Sequence, residues 1–507
     1  MFDSPLMSGA LLVRGADVLL PGGNVSRADI LIVAGRIAEI GEVTAPRGIA
    51  ELDARGQLVV PGLVNAHTHS GENFNPGRYE NLPLDLWFVY SHEVTRGEPP
   101  DRDTIYTRTA LGAIQMLLSG TTCAVDFLYE APAITVETLE PVVQAYRDAG
   151  LRVNILLGVA DKPFLESLPL DPEVRTSAPP EAAPPSLHSI MELAEAAVER
   201  WHEPGGLTGI GLAPSAPQRC SEELMQASRE FALRHELVWH THVLETKTQA
   251  WTAQQWHGKS FVETLHEDGF LGPRSSVVHA VWLTDRDIEI LRETGTTMIH
   301  CLLSNLRLGD GVARLTALRD AEVTVALGTD GRGCDETLDM FELAKTTAVL
   351  HKARGESYER WPTAQEVFEM ATVGGSRCAG HGERLGRIEP GAAGDLVLLD
   401  RHAVALTPFL HPVRQLVYGS AGRDVRTVVV DGRVVVEDGR VLGLNVDAVL
   451  KRAVRYAEPL AARGGAELRR LEEIVNELYA KAERAAIGLD SYVGSGLTEE
   501  SQNLPAM

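Results

Sequence analysis

The chain has 507 residues, 44% of them hydrophobic, with a formal net charge of −23. That is enough apolar material for a large core, and by length alone for roughly two to four domains. No block of Lys and Arg interrupts the acidity, which argues against nucleic acid and anionic membrane as partners. The five cysteines, Cys123, Cys220, Cys301, Cys334 and Cys378, show no CxxC spacing, so reduced thiols in a cytoplasm are expected rather than a disulfide framework. The first twenty residues lack a basic segment followed by an apolar one, so no signal peptide is expected. No window approaches the roughly 20 apolar residues of a membrane span.

In chain order, residues 9–60 read as short strands punctuated by glycine, "ALLVRGADVLL", "ADILIVAGRIAEIG" and "ELDARGQLVV". From 61 to 380, strand-like runs alternate with amphipathic stretches. The runs are "VVPGLVNAHT", "TTCAVDF", "RVNILLGV", "LTGIGLAPS", "LVWHTHV", "SSVVHAVW", "TTMIHCL" and "VTVALGTDG". Eight β-then-α units predict a parallel sheet closing into a (β/α)8 barrel. A second β-rich stretch, 381–445, carries "VRTVVVDGRVVVEDGRV", whose Asp-Gly between valine runs signals a hairpin. The two β segments, 1–60 and 381–445, are expected to form one small β-sandwich domain from both ends of the chain. Residues 446–507 read as surface helices and a polar tail with no chemistry of their own. Two long loops, 71–100 and 161–187, follow the first and third barrel strands and are expected on the C-terminal face, where barrels build their sites.

Two HxH pairs, His67/His69 and His240/His242, fall at strand ends. A chain with 16 histidines in 507 residues carries about half such a pair by chance, so placement is what matters. On a strand, residues i and i+2 share a face and can reach one point. His279 in "SSVVHAVW" and Asp330 in "VALGTDG" also end apolar runs. Any one of these histidines alone reads as an ordinary core residue. Imidazoles and a carboxylate converging from four strand ends make a site suited to a divalent metal.

With these motifs in place, the chain resembles the amidohydrolase superfamily, in the branch of chlorohydrolases and aminohydrolases that includes triazine, cytosine, guanine and S-adenosylhomocysteine deaminases. The matching stretches are "PGLVNAHTHS", "LPLDLW", "SGTTCAVDF", "HTHVLET", "VHAVWLT", "HCLLSNLRLGDG", "LGTDGRGCDETLDMFELAKTTAVLHK" and "GRIEPGAAGDLVLLD". The resemblance implies that His67, His69, His242 and Asp330 bind metal, that Glu245 shuttles protons, and that His279 orients water or polarises the substrate. Asp330 would also take a proton from the attacking water. Binuclear relatives carry a carboxylated lysine at the end of strand four; "GIGLAPSAPQRCSEEL" has none, so one ion is expected, zinc by default, with iron also found in relatives. Many nucleoside-type deaminases have a histidine where this chain has Ser215, a departure that counts against nucleoside recognition. Trp87, Gln218, Arg219, His240 and Asn305 are the candidate substrate contacts, His240 also being a candidate support for the ligands.

The expected activity is hydrolytic deamination of a small N-heterocycle. Rival readings on the same scaffold are cleavage of an exocyclic amide, urea or carbamate, or of a ring C–Cl bond; the product separates them. A catalytically inactive binding barrel conflicts with the complete ligand and acid/base set. The partner is a small-molecule substrate, and relatives are often dimers or larger.

Overall fold

The computed structural model describes residues 9–44, 48–95, 100–130, 133–176, 183–419, 422–457 and 466–485. The polar tail expected after the last helix, the first eight residues, and parts of the two long loops (96–99 and 177–182) lie outside the described residues.

The first segment forms β1 (Ala10–Leu19), β2 (Val25–Val33), β3 (Arg36–Gly41), β4 (Ala50–Asp53) and β5 (Gln57–Pro61). Immediately after β5, the chain leaves this sheet for a second one. β6 (Leu63–Thr68), β7 (Thr121–Leu128), β8 (Arg152–Val159) and β9 (Thr208–Pro214) pair in parallel and in chain order. β10 (Trp239–Val243), β11 (Ser275–His279), β12 (Thr297–His300) and β13 (Val325–Leu327) form a second parallel set of four. These eight strands fall on the eight expected runs, one of them a residue longer and several shorter by up to four residues at an end. Nearly every residue in them is buried, as in strands covered on both faces. Helices such as Arg102–Leu118 and Val136–Ala149 supply one cover.

The two parallel sets touch along both edges. His242 N donates to Ser215 O at 3.1 Å, and Asp330 N donates to His67 O at 2.9 Å. Those two hydrogen bonds involve three of the four expected metal ligands, so the seams between the sheets and the candidate site coincide.

β14 (Leu396–Asp400), β15 (Val425–Val430), β16 (Arg433–Glu437) and β17 (Arg440–Val441) return to the first segment. β14 pairs antiparallel with β5, giving one nine-stranded sheet built from both ends of the chain. The expected hairpin joins β15 to β16 through Asp431 and Gly432, with φ of 52° and 75°. Two consecutive left-handed residues are what a two-residue type I′ turn requires. Leu11, Val13, Ile30, Ile32, Leu398 and Val429 lie in its own apolar core.

The C-terminal helix Ala466–Arg484 does more than cover surface. Leu471, Val475 and Leu478 pack with Leu86 and Val89 of helix Leu84–Thr95 and with Leu165 and Leu168 of the loop after β8. Lys247 Nζ donates to Glu483 O at 2.6 Å, tying in the helix after β10. One helix thus holds together three loops at the C-terminal ends of the parallel strands. All five cysteines are buried and unbridged. No helix among the described residues is long and apolar enough to cross a membrane.

Candidate active site

Strand period brings the histidines together. Ring centroids of His67 and His69 lie 4.6 Å apart, and His67 and His242 5.0 Å apart. Nε2 of His67 and of His69 face the same Asp330 oxygen, Oδ1, at 3.5 and 3.1 Å. Ligand atoms within 4.8 Å of one another occur in three overlapping sets: His67, His69 and Asp330; His67, His242 and His279; Glu245, His279 and Asp330.

The other ring nitrogens show that this convergence is built. His69 Nδ1 donates to Phe127 O at 2.6 Å, and His242 Nδ1 to Ser215 O at 2.8 Å. A proton fixed on Nδ1 leaves the Nε2 lone pair aimed at the centre, the usual arrangement of a metal-binding imidazole. His67 Nε2 is fully buried with no hydrogen-bond partner. A buried orphan nitrogen is costly unless something else takes its lone pair. Two imidazoles held by carbonyls, an orphaned third and a shared carboxylate fit a divalent ion.

His240 behaves unlike its partner in the second HxH pair. It is completely buried one layer behind, stacked on His67 at 5.4 Å with its Nε2 3.3 Å from His67 Nδ1. It sits behind a candidate ligand and is not among the residues lining the cavity. Asn305 likewise stands behind: its Oδ1 accepts from His279 Nδ1 at 2.8 Å, turning His279 Nε2 toward Glu245 Oε1 at 3.3 Å and Asp330 Oδ2 at 3.9 Å.

Asp330 is tied down on every side. Its Oδ2 accepts from Ser304 Oγ at 2.6 Å and its Oδ1 from Gly331 N at 2.8 Å. Asp330, His279, Ala280 and Leu244, the residue before Glu245, have φ of 65°, 66°, 42° and 52°. Left-handed backbone at non-glycine residues costs roughly 1–3 kcal/mol each and persists where the surroundings over-determine it. Here it turns side chains off strand ends toward one point.

Electrostatics separate the two acids. Burial works to raise Asp330, but the imidazoles of His67 and His69 beside it win and hold it well below the carboxylate range. Burial, reinforced by the charges of Asp310 and Asp330, pushes Glu245 well above that range. Burial likewise lowers His67 to about 3 and His242 well below its ordinary value, so both present neutral nitrogen. Burial and neighbouring charge thus push two carboxyls of one cavity in opposite directions.

His69, His242, Glu245, His279 and Asp330 line a cavity of about 510 Å³, with His67 against them. Trp87 lines it, with Nε1 donating to Gly333 O at 3.2 Å. Gln218 lines it and accepts from Gln249 Nε2 at 3.0 Å, while Gln249 Oε1 accepts from Glu245 N at 2.7 Å. Arg219 lies over the ring of Phe88. Several lining groups escaped the sequence reading: Glu72, Tyr129 and the buried Arg108–Glu130 ion pair. Glu72, raised to about 7 chiefly by burial, packs so closely on Gly331 that a Cβ there would lie 2.0 Å from its Oε2. Its signal was available, three residues after His69 in "HTHSGE". Among the described residues, no lysine lines the cavity.

The amidohydrolase family model matches residues 58–435. The chain is 34% identical over 453 residues to a 5′-deoxyadenosine deaminase of Methanothermobacter thermautotrophicus, covering 89% of this chain and 99% of the relative. It is 34% identical over 456 residues to a 5-methylthioadenosine/S-adenosylhomocysteine deaminase of Syntrophobacter fumaroxidans, covering 87% and 97%. Among solved structures, the zinc complex of an atrazine chlorohydrolase from Arthrobacter aurescens superposes with a TM-score of 0.80 at 24% identity, over 89% of this chain and 100% of that one. An adenosine deaminase from Xanthomonas campestris with bound zinc gives 0.76 at 25% identity, over 89% and 98%.

Proposed function

The chain belongs to the amidohydrolase family, and from that premise we propose that it hydrolyses the exocyclic amino group of an adenine nucleoside modified at its 5′ position. The observation that carries the reading is the convergence of His67, His69, His242 and Asp330 beside the buried carboxyl of Glu245. In this reading the four would hold one divalent ion, zinc by preference. Such an ion supplies Lewis-acid chemistry that brings the ionisation of water down to about pH 7.

The chain's own groups do the rest. Asp330 accepts a proton from the attacking water at its carboxylate. Glu245 hands a proton to the departing nitrogen, so that ammonia leaves and the ring carbon keeps oxygen. His279, oriented by Asn305, turns Nε2 toward charge developing on that oxygen. His240 positions His67 from behind. Ser215 in place of the histidine of many nucleoside-type deaminases is one position, set against two relatives 34% identical and named for adenine nucleosides.

We read the two parallel sets of strands as halves of one (β/α)8 barrel over 61–380, supported by the hydrogen bonds at both seams and the likeness to solved hydrolases. The nine-stranded sheet is then the two-part β domain of 1–60 and 381–445, followed by the C-terminal segment 446–507.

An ammonia-release assay over adenine, guanine, cytosine and triazine compounds with zinc-loaded protein tests the activity. Ammonia from 5′-modified adenosines is expected. Release of a larger amine from amides or ureas, or of chloride, without ammonia from any heterocycle would overturn it.

A further inference from the structure

Five carboxylates and two guanidiniums line the cavity, and their partners separate them. Glu245 and Asp330 belong to the centre. Glu72 accepts from Gly333 N at 3.3 Å, Asp85 accepts from Thr248 Oγ1 at 2.7 Å, and Glu130 pairs with Arg108. Arg219 is different. Among the described residues, no carboxylate forms an ion pair with it, and its Nε is buried with no acceptor. In a chain with 70 acidic and 47 basic residues, a cavity-lining cation left without an acid is notable.

Two aromatic rings set its place instead. The guanidinium carbon lies 4.6 Å from the Phe88 centroid and 5.7 Å from that of Phe164, and the two rings stack at 4.7 Å. Cation–π contact holds the plane of a guanidinium but leaves its in-plane N–H donors unsatisfied. Those donors match an oxyanion, in the two-pronged geometry that arginine forms with carboxylate or phosphate.

The position suits a substrate's far end. Arg219 belongs to the turn Pro217–Arg219, and its neighbour Gln218 is linked through Gln249 to Glu245. Tyr129, whose ring lies 6.0 Å from that of His69, also lines the cavity and feels the Arg219 charge. Arg219 and the groups of the centre line one cavity, so a heterocycle over the centre leaves Arg219 to its substituent.

We infer that Arg219, on its Phe88–Phe164 platform, selects substrates that carry an oxyanion, carboxylate or phosphate, on the substituent remote from the amino group. The inference rests on the deaminase reading above and names the substrate class of that same site. A charge-assisted hydrogen-bonded pair formed in the ground state and kept in the transition state acts through KM.

The test compares zinc-loaded wild type, Arg219→Met and Arg219→Lys on adenosine, adenosine 5′-carboxylate and adenosine 5′-monophosphate. In wild type, kcat/KM for an oxyanion compound should exceed that for adenosine by about 10–100-fold, mostly through KM. Arg219→Met should erase that ratio and Arg219→Lys should keep part of it. A preference for the carboxylate alone or the phosphate alone assigns the anion. Equal rates on all three compounds in wild type, or a preference that survives in Arg219→Met, overturns the inference while leaving the deaminase reading intact. If none of the three releases ammonia, the deaminase reading fails, and calorimetric titration of glutarate and inorganic phosphate decides the inference separately. Binding weakened about tenfold or more in Arg219→Met upholds it, and equal or absent binding in both proteins refutes it.

Discussion

The floor and the rim of the cavity are made differently. On the floor, His69, His242, His279 and Asp330, with His67 against them, come from strand ends or the residues just beyond them, and most are held by the backbone or by polar groups lying behind them. At the rim, Phe88, Phe164 and Arg219 come from three loops, and Leu471, Val475 and Leu478 of the C-terminal helix bind two of those loops together through apolar contact. Hydrogen bonds to backbone fix direction within a few tenths of an ångström, as proton transfer and metal ligation need. Apolar packing between loops fixes volume and can be rebuilt around a different ligand without disturbing the floor. On the proposed reading, chemistry and selectivity are carried by separable parts of one cavity.

Substitutions on the floor should act on chemistry with binding intact. Glu245→Gln keeps the shape and the metal content but removes the proton donor, so kcat should fall about 10²–10⁴-fold. Metal analysis beside steady-state kinetics checks this, and near-normal turnover would remove Glu245 from its role. His240→Ala takes away the ring behind His67 without touching substrate. Loss of such a support costs about 10–100-fold in metal affinity, readable by competition with a chelator. An unchanged affinity would mean that His67 is held by the strand alone.

Rim substitutions should do the reverse. Val475→Asp places a charge in the fully buried contact between the C-terminal helix and the loops. It should raise KM about tenfold with metal content unchanged and kcat little altered. A fall in metal content would show that floor and rim are one unit.

The smallest effect expected is on stability. Asp85, buried on the rim helix, is raised from 3.8 to about 6, chiefly by burial. A raised acid holds its proton more tightly in the folded state. Its contribution to stability is complete below its unfolded value and is lost as pH rises through about 6. Asp85→Asn removes that loss and should stabilise the protein at pH 8 by at most about 3 kcal/mol, with no gain near pH 4. Melting temperatures across that range check it, and a pH-independent difference would contradict it.

The same division explains what the amino-acid sequence revealed. The eight strand runs and the two HxH pairs are local patterns, and a period of two places His67 and His69 on one face whatever the rest of the chain does. The periodicity could not tell that His240 stops a layer short of the centre, because a strand's inward face passes through several layers of a packed interior. The rim was poorly legible. Arg219 was legible as a candidate contact, but its Phe88–Phe164 platform was not, because those rings come from separate loops that meet only in the fold. The charged and aliphatic pattern of 466–484 signals an amphipathic helix but says nothing of what its apolar stripe covers. Glu72 was missed although it lies close to the first HxH pair, since a lone glutamate in a turn carries no period.

The most direct test of the account is metal content and ammonia release measured together on wild type and a His67→Ala/His69→Ala double variant. About one zinc or iron per chain, with ammonia released from an adenine nucleoside, and both lost in the variant, is the predicted result. Metal retained by the variant, or turnover that survives its removal, would contradict the claim that this cluster is the catalytic centre.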